Sequence, residues 1–318
     1  MGDSFSGTRV SVQVLMLAAL TVALVAAARY VPVLGIVVSL LAPTPILLAT
    51  LRCGSRTGLL ALGLSTLSLA LLFGSLQGGI FLAEYGVMAL VLAEAIRPQW
   101  SVERTILASA AVPSMASGAL IVALIGSVDL NLGAVKQHFH EDLGQALRPL
   151  LSEGGGLSDE ALRAYVEETL GTFMQLLPSL FVLSTAAGAL LNYGVVRIMW
   201  RRLGGQPPLP EMKLAQWKAP EVCVWVLIAS GIGSFVPLPG LRIVGLNMLF
   251  LVSLVYLVQG FGVIAFYLQR ASVPPILRSL AYVVLVIQPL FLLGVAAFGL
   301  FDLWFDFRRT DNKQEDMP

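Results

Sequence analysis

Charge, cysteine and histidine are all scarce in this 318-residue chain, and each scarcity removes a class of function. Asp, Glu, Lys and Arg make up 12% of it, against roughly 25% in soluble domains, which leaves too little polar surface to face water on every side. The 20 basic and 19 acidic residues nearly cancel, so there is no cationic surplus for nucleic acid and no acidic block for a basic partner. The two cysteines, Cys53 and Cys223, have no CxxC or His-rich neighbourhood. That excludes a disulfide framework and a thiolate metal site, and both read as small apolar residues. The two histidines, His138 and His140, are two positions apart and diverge on a helix. No metal and no other cofactor is expected.

Motifs for membrane-embedded catalysis are missing as well. Met115-Ala116-Ser117-Gly118 lacks the first Gly of a GxSG, and no histidine lies in an apolar stretch to serve the serine. His140-Glu141 is followed by Asp142-Leu143-Gly144, which breaks HExxH, and Asp302 follows Gly299-Leu300-Phe301 in place of a GxGD. A Walker A phosphate loop is absent, so any ATP-driven work needs a partner. No catalytic residue is assigned, and the chain is not expected to be an enzyme.

Apolar residues, by contrast, are 57% of the chain and the mean hydropathy is +0.84. They cluster in nine stretches, 11–29, 34–51, 57–74, 79–97, 105–127, 172–197, 221–236, 243–269 and 279–304. A helix of about 20 apolar residues rising 1.5 Å per residue crosses a hydrocarbon core of about 30 Å. The expected fold is therefore all-α, a polytopic transmembrane bundle of about nine spans, with eight as the alternative. The apolar run Val10–Ala28 after Arg9, ending in Ala26-Ala27-Ala28, is longer than a signal-peptide core and reads as a retained first helix. Met1-Gly2 with Ser6 fits the myristoylation pattern by chance.

Twelve of the Lys and Arg residues in the joints fall on the side of Arg9 and five on the other, before the tail. The positive-inside rule then puts the N-terminus in the cytoplasm. Nine spans would place Arg308, Arg309 and Lys313 outside; eight spans, or one re-entrant segment, would bring them in. Residues 128–171 carry eight acids and three bases, with Leu132, Val135, Phe139, Leu143, Leu147 and Leu150 at helical spacing before Gly154-Gly155-Gly156. Ser158 and Asp159-Glu160 then start a second helix, giving an external hairpin that continues into the sixth span. The domain scheme is a six-helix front bundle 1–202 including that hairpin, a cytoplasmic linker 203–220, and a back part 221–318.

Ionisable and helix-breaking residues within the apolar stretches are the candidates for function. Glu84, with Tyr85 beside it, lies in the outer third of the fourth span; a proton-linked or ligand-contacting carboxylate and a hydrogen-bonded neutral one are both consistent with its position. Arg29 and Tyr30 end the first span at similar depth to Gln175 and Asn247, and these could form one outer polar cluster or, for Arg29 and Tyr30, an interfacial anchor. Pro43 and Pro45 interrupt the second span and free carbonyls, either beside a cavity or in a packed kink. Arg97 is three after Glu94, an ion-pair spacing. Ala19, Ala23 and Ala27 form a small-residue face suited to a partner helix. Asp302, Asp306 and Arg309 mark a charged helix end that could dock a protein.

That ending, with Leu257-Val258-Gln259-Gly260 in the eighth span, resembles the YybS-like family of bacterial membrane proteins, a likeness that covers nearly the whole chain and implies no activity. The front part, 11–200, is similar to the substrate-binding S components of energy-coupling-factor transporters. The similarity lies in its Ala-rich first span and in its Pro-containing second span ending Arg52-Cys53-Gly54-Ser55-Arg56. This second resemblance implies a small polar ligand taken from the outer side near Arg29 and Glu84, and docking of an energy-coupling transmembrane subunit on Ala19, Ala23 and Ala27. The long hairpin and three extra spans depart from that pattern. The alternative is a membrane scaffold or assembly factor that binds proteins through the hairpin and tail.

Overall fold

The computed structural model describes residues 3–30, 35, 38–127, 137, 159–202, 210 and 214–308. Among these every regular element is helical: α1 (Asp3–Tyr30), α2 (Pro43–Cys53), α3 (Ser55–Phe73), α4 (Ser75–Ile96), α5 (Val102–Ser127), α6 (Asp159–Arg202), α7 (Val222–Phe235), α8 (Pro239–Arg270), α9 (Pro275–Ile287) and α10 (Pro289–Phe305). Six helices, α1, α3, α4, α5, α6 and α8, are long and apolar enough to cross a membrane. The protein is a polytopic helix bundle. His138, His140, Arg309 and most of the expected external hairpin lie outside the described residues. The helix expected from Asp159 does run into the sixth span, as one 44-residue element.

Three of the nine expected spans differ from simple membrane-crossing helices. The second and seventh are short apolar helices, Val38–Cys53 and Val222–Phe235, about 24 and 21 Å long at 1.5 Å per residue. The ninth is two helices that bend sharply at Gln288. Pro289 accounts for that break: it disfavours helical backbone at the residue before it, and Gln288 is extended at φ −102°, ψ 105°.

The chain forms two compact units, one of residues 1–167 and 180–211, the other of 168–179 and 212–318. The division after residue 211 falls inside the stretch expected as a linker. From Leu214 on, that stretch is built into the second unit, with Ala215 and Ala219 buried, and the assignment of 168–179 to the second unit is a feature the sequence did not signal.

In the first unit, α1 buries Val14, Ala18, Thr21 and Val25 at spacings of four, three and four against α2 and α3. Ala19, Ala23 and Ala27 are on its exposed side. The core gathers Ile46, Leu47, Leu62, Leu69, Phe81, Met88, Leu92, Ile96 and Val196. Gly54 and Gly74, at φ 94° and 97°, join α2 to α3 and α3 to α4, a conformation that a Cβ resists. Arg97 closes the α2–α3 corner: it pairs with Glu94 at 2.6 Å, donates to Ser55 Oγ at 2.6 Å, and caps the Thr50 carbonyl at 2.9 Å.

The second unit is built on α8, which packs against α7 and α10. Val252, Tyr256 and Ala219 form its buried centre, flanked by Trp217, Leu227, Leu300 and Leu303.

Candidate functional site

The expected outer residues of the first unit separate into two groups. Arg29 and Tyr30 are at the rim: Tyr30 is 81% exposed, and the Arg29 guanidinium lies 4.7 Å over the Phe73 ring and reaches Gln77 Oε1 at 3.4 Å. Glu84 is seven residues beyond Gln77, about 10 Å further along the helix, and no bond joins it to Arg29. Pro43 and Pro45 are buried. Thr44 N–H bonds the Leu41 carbonyl at 3.0 Å in the tight turn before the helix, and the Leu40 carbonyl it passes over accepts from Asn192 Nδ2 at 2.6 Å, while Thr44 Oγ1 donates to Asn192 Oδ1 at 2.6 Å. The proline pair is thus a kink closed from inside the protein.

Glu84 occupies the middle of a π-helical turn, Leu82–Gly86, within α4. Such a turn carries an extra residue, which widens the helix locally and turns the residues that follow. Tyr85 stacks on Phe81 with centroids 6.0 Å apart, and its hydroxyl shares a hydrogen bond with Ser39. Glu84 is half-buried and makes no hydrogen bond or ion pair to another described residue.

Helix α5 packs most extensively against this turn, and α2 and α3 also touch it. The buried face of α5 consists of Val102, Thr105, Ser109, Ala110, Pro113 and Ser117, and the hydroxyls of Thr105, Ser109 and Ser117 have no partner among the described residues. Ser114 on α5 and Thr66 on α3 are also buried at the hydroxyl and unpartnered. A methyl at Gly79 would lie 3.8 Å from Leu120, which sets the antiparallel register of α4 and α5 and puts Glu84 level with Ser114 to Ser117. An unmet buried polar group costs about 1–3 kcal/mol, so Ser114 and Ser117, level with an unpaired carboxylate, make a site suited to a hydrogen-bonding guest. The sequence carried a signal for the hydroxyls of α5, since Thr105, Ser109 and Ser117 recur at multiples of four in an apolar helix.

Gln175 and Asn247 belong to the second unit, and their pairing is structural. Ser179 N–H donates to Asn247 Oδ1 at 2.8 Å, and Asn247 Nδ2 donates to the Gln175 carbonyl at 2.7 Å. In an unbroken helix Ser179 N–H would bond the Gln175 carbonyl directly; next to Pro178, Asn247 inserts its amide between them. Its second Nδ2 proton goes to the Ile243 carbonyl at 2.8 Å, so both donors are used within the protein. The Gln175 side chain lines a small cavity of about 200 Å³ with Pro237, Leu238, Pro239, Arg242 and Ile243.

At the C-terminal end the expectation of a charged helix end, with Asp302 and Asp306 four residues apart on one helix, is corrected. The helix ends at Phe305, and Asp306 takes a left-handed conformation, φ 40° and ψ 60°, so Asp302 and Asp306 do not share a face. Asp302 is buried and bound on both oxygens. Oδ2 accepts from Arg308 at 3.1 and 2.5 Å and from Gln259 Nε2 at 3.0 Å, while Oδ1 accepts from Phe307 N–H at 3.1 Å. Arg308 Nη1 also caps the Ala215 and Trp217 carbonyls, at 3.2 and 2.7 Å. Gln259 Oε1 accepts from Ala219 N–H at 3.0 Å. Asp306 pairs at the surface with Lys218, 2.7 Å away. Arg308, counted in the sequence only as a tail cation, is the centre of this knot.

Two glycines admit it. A Cβ on Gly260 would sit inside contact distance of the Val295 carbonyl, and one on Gly299 inside that of the Tyr256 carbonyl. Helices α8 and α10 therefore meet backbone to backbone, bringing together the Gln259-Gly260 pair and the Gly299 to Arg308 ending, the two segments that carry the first resemblance.

The family model described as "Predicted membrane protein (DUF2232)" matches residues 19–303, and the chain belongs to that family. It is 22% identical over 284 residues to the protein called "Uncharacterized protein YybS" of Bacillus subtilis (strain 168), spanning 88% of this chain and 91% of that protein. No solved structure matches.

Proposed function

We propose that this member of the DUF2232 family holds a small polar ligand in its first unit, at Glu84, and acts as a binding component without an ATPase of its own. The observation that carries the reading is the Glu84 carboxylate, on a π-helical turn in an apolar helix, unpaired among the described residues and level with the unpartnered hydroxyls of Ser114 and Ser117. A charge at membrane depth costs several kcal/mol unless something compensates it. A guest with a cationic or donor-rich group supplies that compensation, and a polar rim at Arg29 and Gln77 gives it an entry from the outer side. The bias of Lys and Arg supports a cytoplasmic N-terminus, and the Bacillus relative supports a bacterial inner membrane. The exposed Ala19, Ala23 and Ala27 face supports a membrane partner, such as an energy-coupling subunit, that would add the energy this chain has no motif to harvest.

A thermal-shift panel of inorganic cations, primary and quaternary amines and amino acids on the purified protein tests this. At 100 times its Kd a ligand adds about 2.7 kcal/mol to the folded state, a shift of several degrees in Tm. At least one member of the panel should stabilise the wild type and leave Glu84→Gln unmoved. Equal responses in both proteins, or none, contradict the reading.

A further inference from the structure

A sizeable cavity lies in the second unit, far along the chain from Glu84. It encloses about 830 Å³ and is lined by Gln216, Lys218, Gln269, Arg270, Tyr282, Asp306 and Arg308 among others, with Leu214, Ala265 and Phe266 as its apolar wall. That volume suits a ligand of headgroup or nucleotide size. Arg270 is the last residue of α8, and Arg242 stands near the other end. At 28 residues and 1.5 Å each they are about 42 Å apart, so the cavity opens at one polar margin of a helix long enough to span the bilayer.

Three cations reach this cavity and one acid does. Asp302 behind the wall neutralises Arg308, and Asp306 pairs with Lys218 at the exposed edge. Arg270 has no hydrogen bond or ion pair among the described residues, and Arg278, which donates to the Val273 carbonyl, is close enough to act electrostatically on Tyr282. A positive excess remains, together with two amide side chains and a phenol as neutral donors. Fork-shaped guanidinium and ammonium groups beside neutral donors are the chemistry that recognises phosphate oxygens. We infer that this cavity, formed by the Leu214–Lys218 segment, the end of α8, α9 and the C-terminal knot, is a binding site for a phosphate-bearing anion.

Such a group is carried by an anionic phospholipid or by a soluble phosphate compound, and two arms separate the sources. The delipidated full chain is titrated in native mass spectrometry with phosphatidylglycerol and with phosphatidylcholine of the same acyl chains. In parallel it is titrated calorimetrically with inorganic phosphate and pyrophosphate. The expected result is saturable binding of one equivalent, either of phosphatidylglycerol at least tenfold tighter than phosphatidylcholine or of a soluble phosphate. That binding should fall at least tenfold in the double variant Lys218→Gln with Arg270→Gln, and by a smaller factor in Arg270→Gln alone. Both side chains are exposed, so the variants should keep the wild-type Tm, which is measured alongside. Absence of saturable binding in both arms, or binding that the folded variants leave unchanged, overturns the inference. If the double variant fails to fold, Arg270→Gln alone decides the outcome by the same criterion.

Discussion

Arg308 with Asp302 and Lys218 with Asp306 are ion pairs of similar length that differ in what surrounds them. The first pair is 3% and 0% exposed, the second 50% and 48%. Removing one partner of a buried pair strands the other charge in a poor solvent, at about 3–5 kcal/mol, whereas an exposed pair contributes about 0–1 kcal/mol. Arg308→Gln is therefore expected to lower the unfolding midpoint in detergent far more than Lys218→Gln. Arg308→Lys should fail to rescue it, because the donors of an ammonium radiate from one nitrogen and cannot reproduce two N–H groups on Asp302 together with a separate nitrogen on two carbonyls. Asn247→Leu should cost about 1–3 kcal/mol, since it orphans Ser179 N–H and the Gln175 carbonyl together; circular dichroism melts of the purified variants would measure it. Position alone made Asn247 and Gln175 visible as polar residues in apolar stretches. That the amide of Asn247 closes a helix opened by Pro178 was not legible, because it depends on which helix lies beside which.

At the scale of elements, glycines of the same composition have opposite roles. Gly299 is pressed against the Tyr256 carbonyl, whereas a Cβ at Gly118 would meet nothing within 4 Å. Gly299→Val is expected to separate α8 from α10 and abolish a cooperative melt. Gly118→Ala, inside α5, should be neutral or raise stability by up to about 1 kcal/mol through helix propensity. The π-helical turn is the element on which the proposed site depends. Deleting Ala83 removes the extra residue and should restore a plain helix that re-aims Glu84. The expected outcome is a folded protein that has lost the ligand response, read by the same thermal-shift panel. Nothing in Phe81-Leu82-Ala83-Glu84-Tyr85-Gly86 announces a π turn, because its hydrophobic pattern suits an α-helix equally well. The break at Gln288 was legible in Pro289, since proline restricts the residue before it, and a stretch drawn by hydropathy alone passes over it.

For the whole molecule, membrane class follows from length and apolarity with little reference to detail, so the helices of the bundle could be located from hydropathy. How the chain divides could be located only in part. The joint at 203–220 is marked by Gly204-Gly205 and Pro207-Pro208, yet 168–179 clusters with the second unit through contacts that carry no local signature. The exposed Ala19, Ala23 and Ala27 face and Glu84 both belong to the first unit, and the proposed function gives the first to a partner and the second to a guest. The most direct test of this account is native mass spectrometry of the protein released in mild detergent from its own membranes, with wild type and Glu84→Gln compared. The account predicts a stoichiometric small molecule on the wild type that is absent from the folded variant; a wild type that carries no such mass, or a variant that retains it, would contradict it.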